Sequence, residues 1–228
     1  GDVDAMEAAA REVLAWRAGE GAPIVAAAAA ALADATASGG WDNAAAFAKA
    51  PHADRIGPFI GADGAQIFTL ARASGDLVYV IRASAIDDKA LMEAVSEAEL
   101  SAFFLYVKEL NFLVCDARAR AAGELRTVVT ANDLSGSSGL DKRFQAALSG
   151  SSKTAAKLYP ALGGPTLLLN LPKLLALLVK LLQPLFPKAV QKKIRFESGP
   201  LADVADLREL RDAPTRAQFL GELAALLA

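Results

Sequence analysis

The sequence predicts an α/β fold, a mainly parallel sheet flanked by helices and preceded by a small helical unit. Three observations predict it. Short runs of β-branched and aliphatic residues alternate with longer segments of helical period, the order expected of strands joined by helical crossovers. The strand runs are apolar at consecutive positions, as in a sheet covered on both faces. The first fifty or so residues carry no strand signal and are dominated by alanine, the best helix former.

The first predicted element is a helix over Asp4–Trp16, where Met6, Ala9, Ala10, Val13 and Leu14 recur at helical spacing. Gly19 and Gly21 end it, and Pro23 opens the next element near its first turn. The alanine run Ala26–Ala37 predicts a second helix, stopped by Ser38-Gly39-Gly40, and a short third follows from Asp42 to Lys49. Residues 1–53 therefore read as an N-terminal helical unit and 54–228 as one larger domain, with Ala50–Asp54 as a loop. Leu77–Ile81 is the first strand, between Gly75-Asp76 and Asp87-Asp88. Helical pattern runs over Asp88–Val95 and Glu97–Arg120. Thr127–Thr130 is a second strand, ended by the turn-forming Asn132–Gly136. Two helices, Leu140–Ser149 and Lys153–Tyr159, lead to a third strand at Thr166–Asn170. Lys192–Phe196 is a fourth, and helices over Leu201–Arg211 and Pro214–Leu227 close the chain.

Composition separates this chain from several classes. It is 54% hydrophobic and 22% charged, with mean hydropathy +0.30, which suits a globular protein with an apolar surplus rather than a disordered chain. One cysteine, Cys115, allows no internal disulfide and fits a reducing compartment. The net charge is −2, but Lys142–Phe196 holds ten basic residues and no acid, leaving 14 basic against 26 acidic residues elsewhere. That run lacks interleaved aromatics, so nucleic acid is not an expected partner. Gly1 in place of Met reads as a processed chain, so an organelle such as a plastid is an alternative to a cytoplasmic, peripherally membrane-associated location.

Between Pro172 and Pro184, Leu174, Leu175, Leu177, Leu178, Val179, Leu181 and Leu182 leave a narrow polar stripe holding Lys173 and Lys180. Such a helix is either packed all round in a core or meets something apolar on its outer face. It is shorter than the ~20 residues that span a bilayer.

The ordered set Tyr159, Pro160, Gly164, Asn170, Pro172, Pro184, Lys193 and Ile194 resembles the signature of the CRAL-TRIO family. That family includes fungal phosphatidylinositol/phosphatidylcholine transfer proteins and the tocopherol and retinal carriers. Asp133 with Gly136, Trp16-Arg17 and the helix start at Ser96–Leu100 are similar to further family features. The resemblance implies a CRAL-TRIO fold with an N-terminal unit, and a lipid or other apolar ligand held under an apolar gate helix. No cofactor is expected, and no metal, since His52 and Cys115 cannot build a typical metal site alone. On this reading Leu174, Leu177, Leu178, Leu181 and Leu182 line the ligand cavity, with Tyr159, Ala161, Val190 and Lys193 at positions of the family's ligand contacts. Lys173, Lys180, Leu185 and Phe186 would meet an anionic membrane, each lysine contributing about 1 kcal/mol there. Two departures matter: Ala161 stands where the family has glutamate, and Val190 stands three residues before Lys193, where it has threonine. Phosphatidylinositol recognition thereby loses two of its three residues, and a more apolar ligand gains ground. The alternative is a module that transfers nothing and docks on a larger membrane-associated assembly.

Catalytic signals are weak. Ser152-Lys153-Thr154 lacks the glycines of a phosphate-binding loop. Gly136-Ser137-Ser138-Gly139 is not a nucleophile elbow, and the single histidine, His52, leaves little from which to build a triad. The expectation is a binding protein, not an enzyme.

Overall fold

The computed structural model describes residues 3–37, 42–60, 66–71, 76–82, 85–133, 140–169 and 194–197. Four helices come first: α1 (Val3–Ala18), α2 (Ala22–Thr36), α3 (Asn43–Ala48) and α4 (Ala53–Ile60). Strands and helices then alternate: β1 (Ile67–Ala71), β2 (Leu77–Arg82), α5 (Asp88–Ala94), α6 (Glu97–Ala122), β3 (Val128–Asp133), α7 (Lys142–Leu158), β4 (Gly163–Leu169) and β5 (Ile194–Glu197). The sheet order is β1-β2-β3-β4-β5; β1 pairs antiparallel with β2 and every later neighbour is parallel. The α/β architecture and the helical N-terminal unit are therefore as the alternation implied.

Three elements differ from the sequence reading. β1 has no counterpart in it, because its five residues follow the glycine-containing stretch before Gln66 and make an antiparallel edge rather than a crossover unit. α4 occupies residues read partly as loop. His52 adopts a left-handed conformation (φ 59°), and its carbonyl accepts the Ile56 amide at 2.9 Å, so the turn itself launches the helix. α7 runs unbroken where two helices were expected: Gly150 has open space around it, and the Ser151 hydroxyl donates to the Leu148 carbonyl within the helix.

α6 is the central post. A reciprocal capping box starts it: Glu99 N–H donates to Ser96 Oγ (3.3 Å), and Ser96 N–H donates to Glu99 Oε2 (2.9 Å). Gly123, at φ 66°, ends it. Leu100, Phe103, Phe104, Tyr106, Val107 and Leu110 are all buried, so the helix is covered on several sides. On one side lies α2, whose Ala28, Ala31 and Ala35 are fully buried and let the two backbones approach closely. On another lies α7, reached through edge-to-face ring pairs from Phe47 to Phe103, Phe104 and Phe144.

The sheet has two buried faces. Val78, Val80, Val129, Ala131 and Leu167 point one way; Tyr79, Ile81, Val128 and Thr130 point the other, toward α6 and α7. β4 carries a register shift opposite Val128–Thr130, which accommodates Pro165 inside a strand. Gly164 is required there, because a Cβ would stand 2.7 Å from Thr127 Oγ1 and 3.1 Å from the Val128 carbonyl oxygen.

Candidate functional site

Between the inner sheet face and the α6–α7 layer lies a cavity of about 370 Å³, within the range of small-molecule sites. Its floor is Tyr79 and Ile81 of β2, Val128, Thr130 and Asn132 of β3, and Thr166 of β4. The period-2 alternation of these strands and their register (Tyr79 opposite Thr130, Thr130 opposite Thr166) bring them to one face. The roof is Phe104 and Lys108 of α6 with Leu148, Ser151 and Ala155 of α7. Tyr159, Leu162 and the Gly163-Gly164 pair close one end.

The cavity is mostly apolar; beside the neutral Thr130, Asn132, Ser151, Ser152 and Thr166, its wall carries Tyr79 and Lys108. Tyr79 is 2% exposed and its hydroxyl has no hydrogen-bond partner among the described residues. Burial pushes its phenol well above the usual range. The ammonium of Lys108 lies over the Tyr79 ring, 5.1 Å from its centroid. Removal from water lowers the Lys108 amine to about 8.

Tyr159 is buried and belongs to a separate polar cluster behind the wall. Its hydroxyl donates to Glu109 Oε2 at 2.6 Å, and Arg17 of α1 donates to both oxygens of that carboxylate at 2.7 Å. Glu109 is fully buried; Arg17 also stacks over Phe112, 5.8 Å from the ring centroid. Desolvation and then the bond to Glu109 raise the Tyr159 phenol. Cys115 is buried and its thiol is pushed up to about 12, chiefly by desolvation, so it is an unreactive core side chain.

Of the residues singled out in the sequence, Tyr159 lines the cavity, while Ala161 is exposed on the turn before β4 and is not part of the lining. Lys173, Leu174, Leu177, Leu178, Lys180, Leu181, Leu182, Leu185, Phe186, Val190 and Lys193 lie outside the described residues. The would-be phosphate loop at Ser152–Thr154 sits inside α7, where the backbone amides are committed to the helix. Lys108, Tyr79 and the Arg17–Glu109 pair were not anticipated. Their signal was available: a lysine and a glutamate side by side in the apolar run Phe103–Phe112. A charge there either finds a partner or faces a cavity.

A family profile described as the CRAL/TRIO domain matches residues 66–211, a span that includes all five strands and the cavity they floor. The chain belongs to the CRAL/TRIO domain family. CRAL/TRIO domains bind or transfer lipophilic ligands in general rather than act as enzymes. The helices α1–α4 precede the matched region of this CRAL/TRIO chain. No curated protein matches the sequence. Among the described residues of the domain, no helix is long and apolar enough to cross a membrane.

Proposed function

We propose that this CRAL/TRIO chain holds one lipid or other apolar ligand in the cavity between sheet and α6–α7, and carries or presents it at an anionic membrane surface. The observation that supports this most directly is the cavity itself, a mostly apolar space of about 370 Å³ walled by the domain's own strands and helices. On this reading the apolar segment from Lys173 to Phe186 is the gate. β4 and β5 are parallel neighbours, and a parallel pair needs a crossover between its strands. Lys173 and Lys180 would then meet anionic headgroups while Leu185 and Phe186 enter the interface. Residues 1–53 act as a helical unit that braces the domain from 54 onward. With alanine at 161 and valine at 190, the reading favours a ligand other than phosphatidylinositol.

Native mass spectrometry of the purified chain, followed by organic extraction, tests the carrier reading. One stoichiometric lipid or pigment is the expected result. A protein that is empty and takes up nothing from mixed liposomes would overturn the reading in favour of a docking module. The membrane half is tested separately by vesicle flotation. At about 1 kcal/mol per lysine, replacing both Lys173 and Lys180 by glutamine lowers binding to vesicles rich in phosphatidylserine roughly tenfold or more. Equal binding by both forms would remove the membrane from the proposal.

A further inference from the structure

We propose that Lys108 and Tyr79 are the polar anchor for the carboxylate of a single-chain lipid acid, so that the cavity selects a long-chain carboxylate over its neutral analogues. The inference rests on the cavity being a ligand site and names the class of ligand it takes.

Two side chains in the cavity wall have unmet bonding capacity. Lys108 is half-buried, lines the cavity, and among the described residues has only the Tyr79 ring as partner. Tyr79 offers that ring and also a buried hydroxyl with nothing to bond. Burying a cation and a phenol without acceptors is costly unless an acceptor arrives. Among the described residues, the titratable groups of the cavity lining are Tyr79, Lys108 and Tyr159, and no acid is among them. The nearest acid along α6, Glu109, is occupied by Arg17 and Tyr159. With no described acid to meet them, the acceptor is assigned to the ligand.

Three features fix its class. One ammonium neutralises one negative charge, so a monoanion is matched and a phosphate carrying two charges is not. A carboxylate has two acceptor oxygens, enough for the ammonium and the phenol together. Ile81, Phe104, Val128, Leu148 and Leu162 supply apolar lining for a tail, and the polar side chains among them, Thr130, Asn132, Ser151, Ser152 and Thr166, are uncharged. A volume near the low end of ligand pockets suits one chain rather than two.

The test uses the full chain and cis-parinaric acid, a fluorescent long-chain carboxylate, beside its methyl ester. At pH 7 the acid binds about tenfold to a hundredfold more tightly than the ester, the factor a charge-assisted anchor supplies. Lys108→Met abolishes the preference and leaves ester binding within a few-fold; Lys108→Arg retains part of it, and a matching melting profile shows that both variants are folded. Tyr79→Phe weakens the acid several-fold. Equal affinity of acid and ester for the unaltered chain, or a preference that survives Lys108→Met, overturns the anchor while leaving the carrier reading intact. Failure of both probes to bind overturns both. A lysophosphatidic acid that displaces the probe better than oleate does would overturn the choice of carboxylate over phosphate.

Discussion

Lys108 and Glu109 are consecutive on α6 and meet opposite surroundings. Glu109 faces the N-terminal helices, where a bidentate arginine and a tyrosine hydroxyl satisfy its carboxylate. Lys108 faces the sheet, where an aromatic ring is its only described partner. A helix turns 100° per residue, enough to separate neighbours between two layers of the same core. The difference teaches how to sort buried charges. One that is saturated by its own chain holds the fold together; one left short of acceptors among the described residues is the candidate for a ligand contact.

Substitutions break this comparison in order of size. Arg17→Ala leaves the Glu109 charge fully buried with only a tyrosine, and it lowers unfolding free energy by about 3–5 kcal/mol in urea titration. A loss below about 1 kcal/mol would show that water replaces the guanidinium. Tyr159→Phe removes one charge-assisted bond and keeps the ion pair, so about 1.5–3 kcal/mol is lost. Lys108→Met works in the other direction: trading an unmatched cation for an apolar chain of similar length raises the stability of the empty protein by about 1 kcal/mol. A destabilised variant would mean that the ammonium has a structural partner.

The gentlest probe is pH. The Lys108 amine is lowered to about 8 in the fold, against about 10.4 in the unfolded chain. Between those values the unfolded state binds the extra proton, so stability rises as pH increases through this window and falls back as pH drops through about 8. The increment disappears in Lys108→Met, and an unchanged profile in that variant would assign it to another group.

Much of the framework was legible before any coordinates. β2, β3 and β4 announce themselves as aliphatic and β-branched runs, and the Ser96–Glu99 capping box marks the start of α6 to the residue. What was lost obeys physical reasons. α4 contains Pro58 and follows Pro51-His52, signals that ordinarily stop a helix, yet an eight-residue helix loses few internal bonds to one proline. β1 is a short antiparallel edge whose pairing with β2 is a tertiary fact. Tyr159 stood out because it sits in an ordered motif. Tyr79 did not, because a tyrosine in a strand means nothing special until two layers meet; Lys108 and Glu109 left a trace as adjacent charges in an apolar run, but only packing decides which of them is matched. The alanines of α2 read as propensity alone, and their fully buried positions against α6 show that they also set the spacing between helices.

α1 carries one more consequence. None of its residues is buried, and by surface area it is a detachable arm. Yet its penultimate residue, Arg17, reaches 92 positions along the chain to saturate the acid behind the cavity wall. A boundary drawn by area would trim this helix away and leave Glu109 short of its strongest partner beside the cavity. In this fold the natural place to cut follows the bonds of a single side chain rather than the surface that the helix hides.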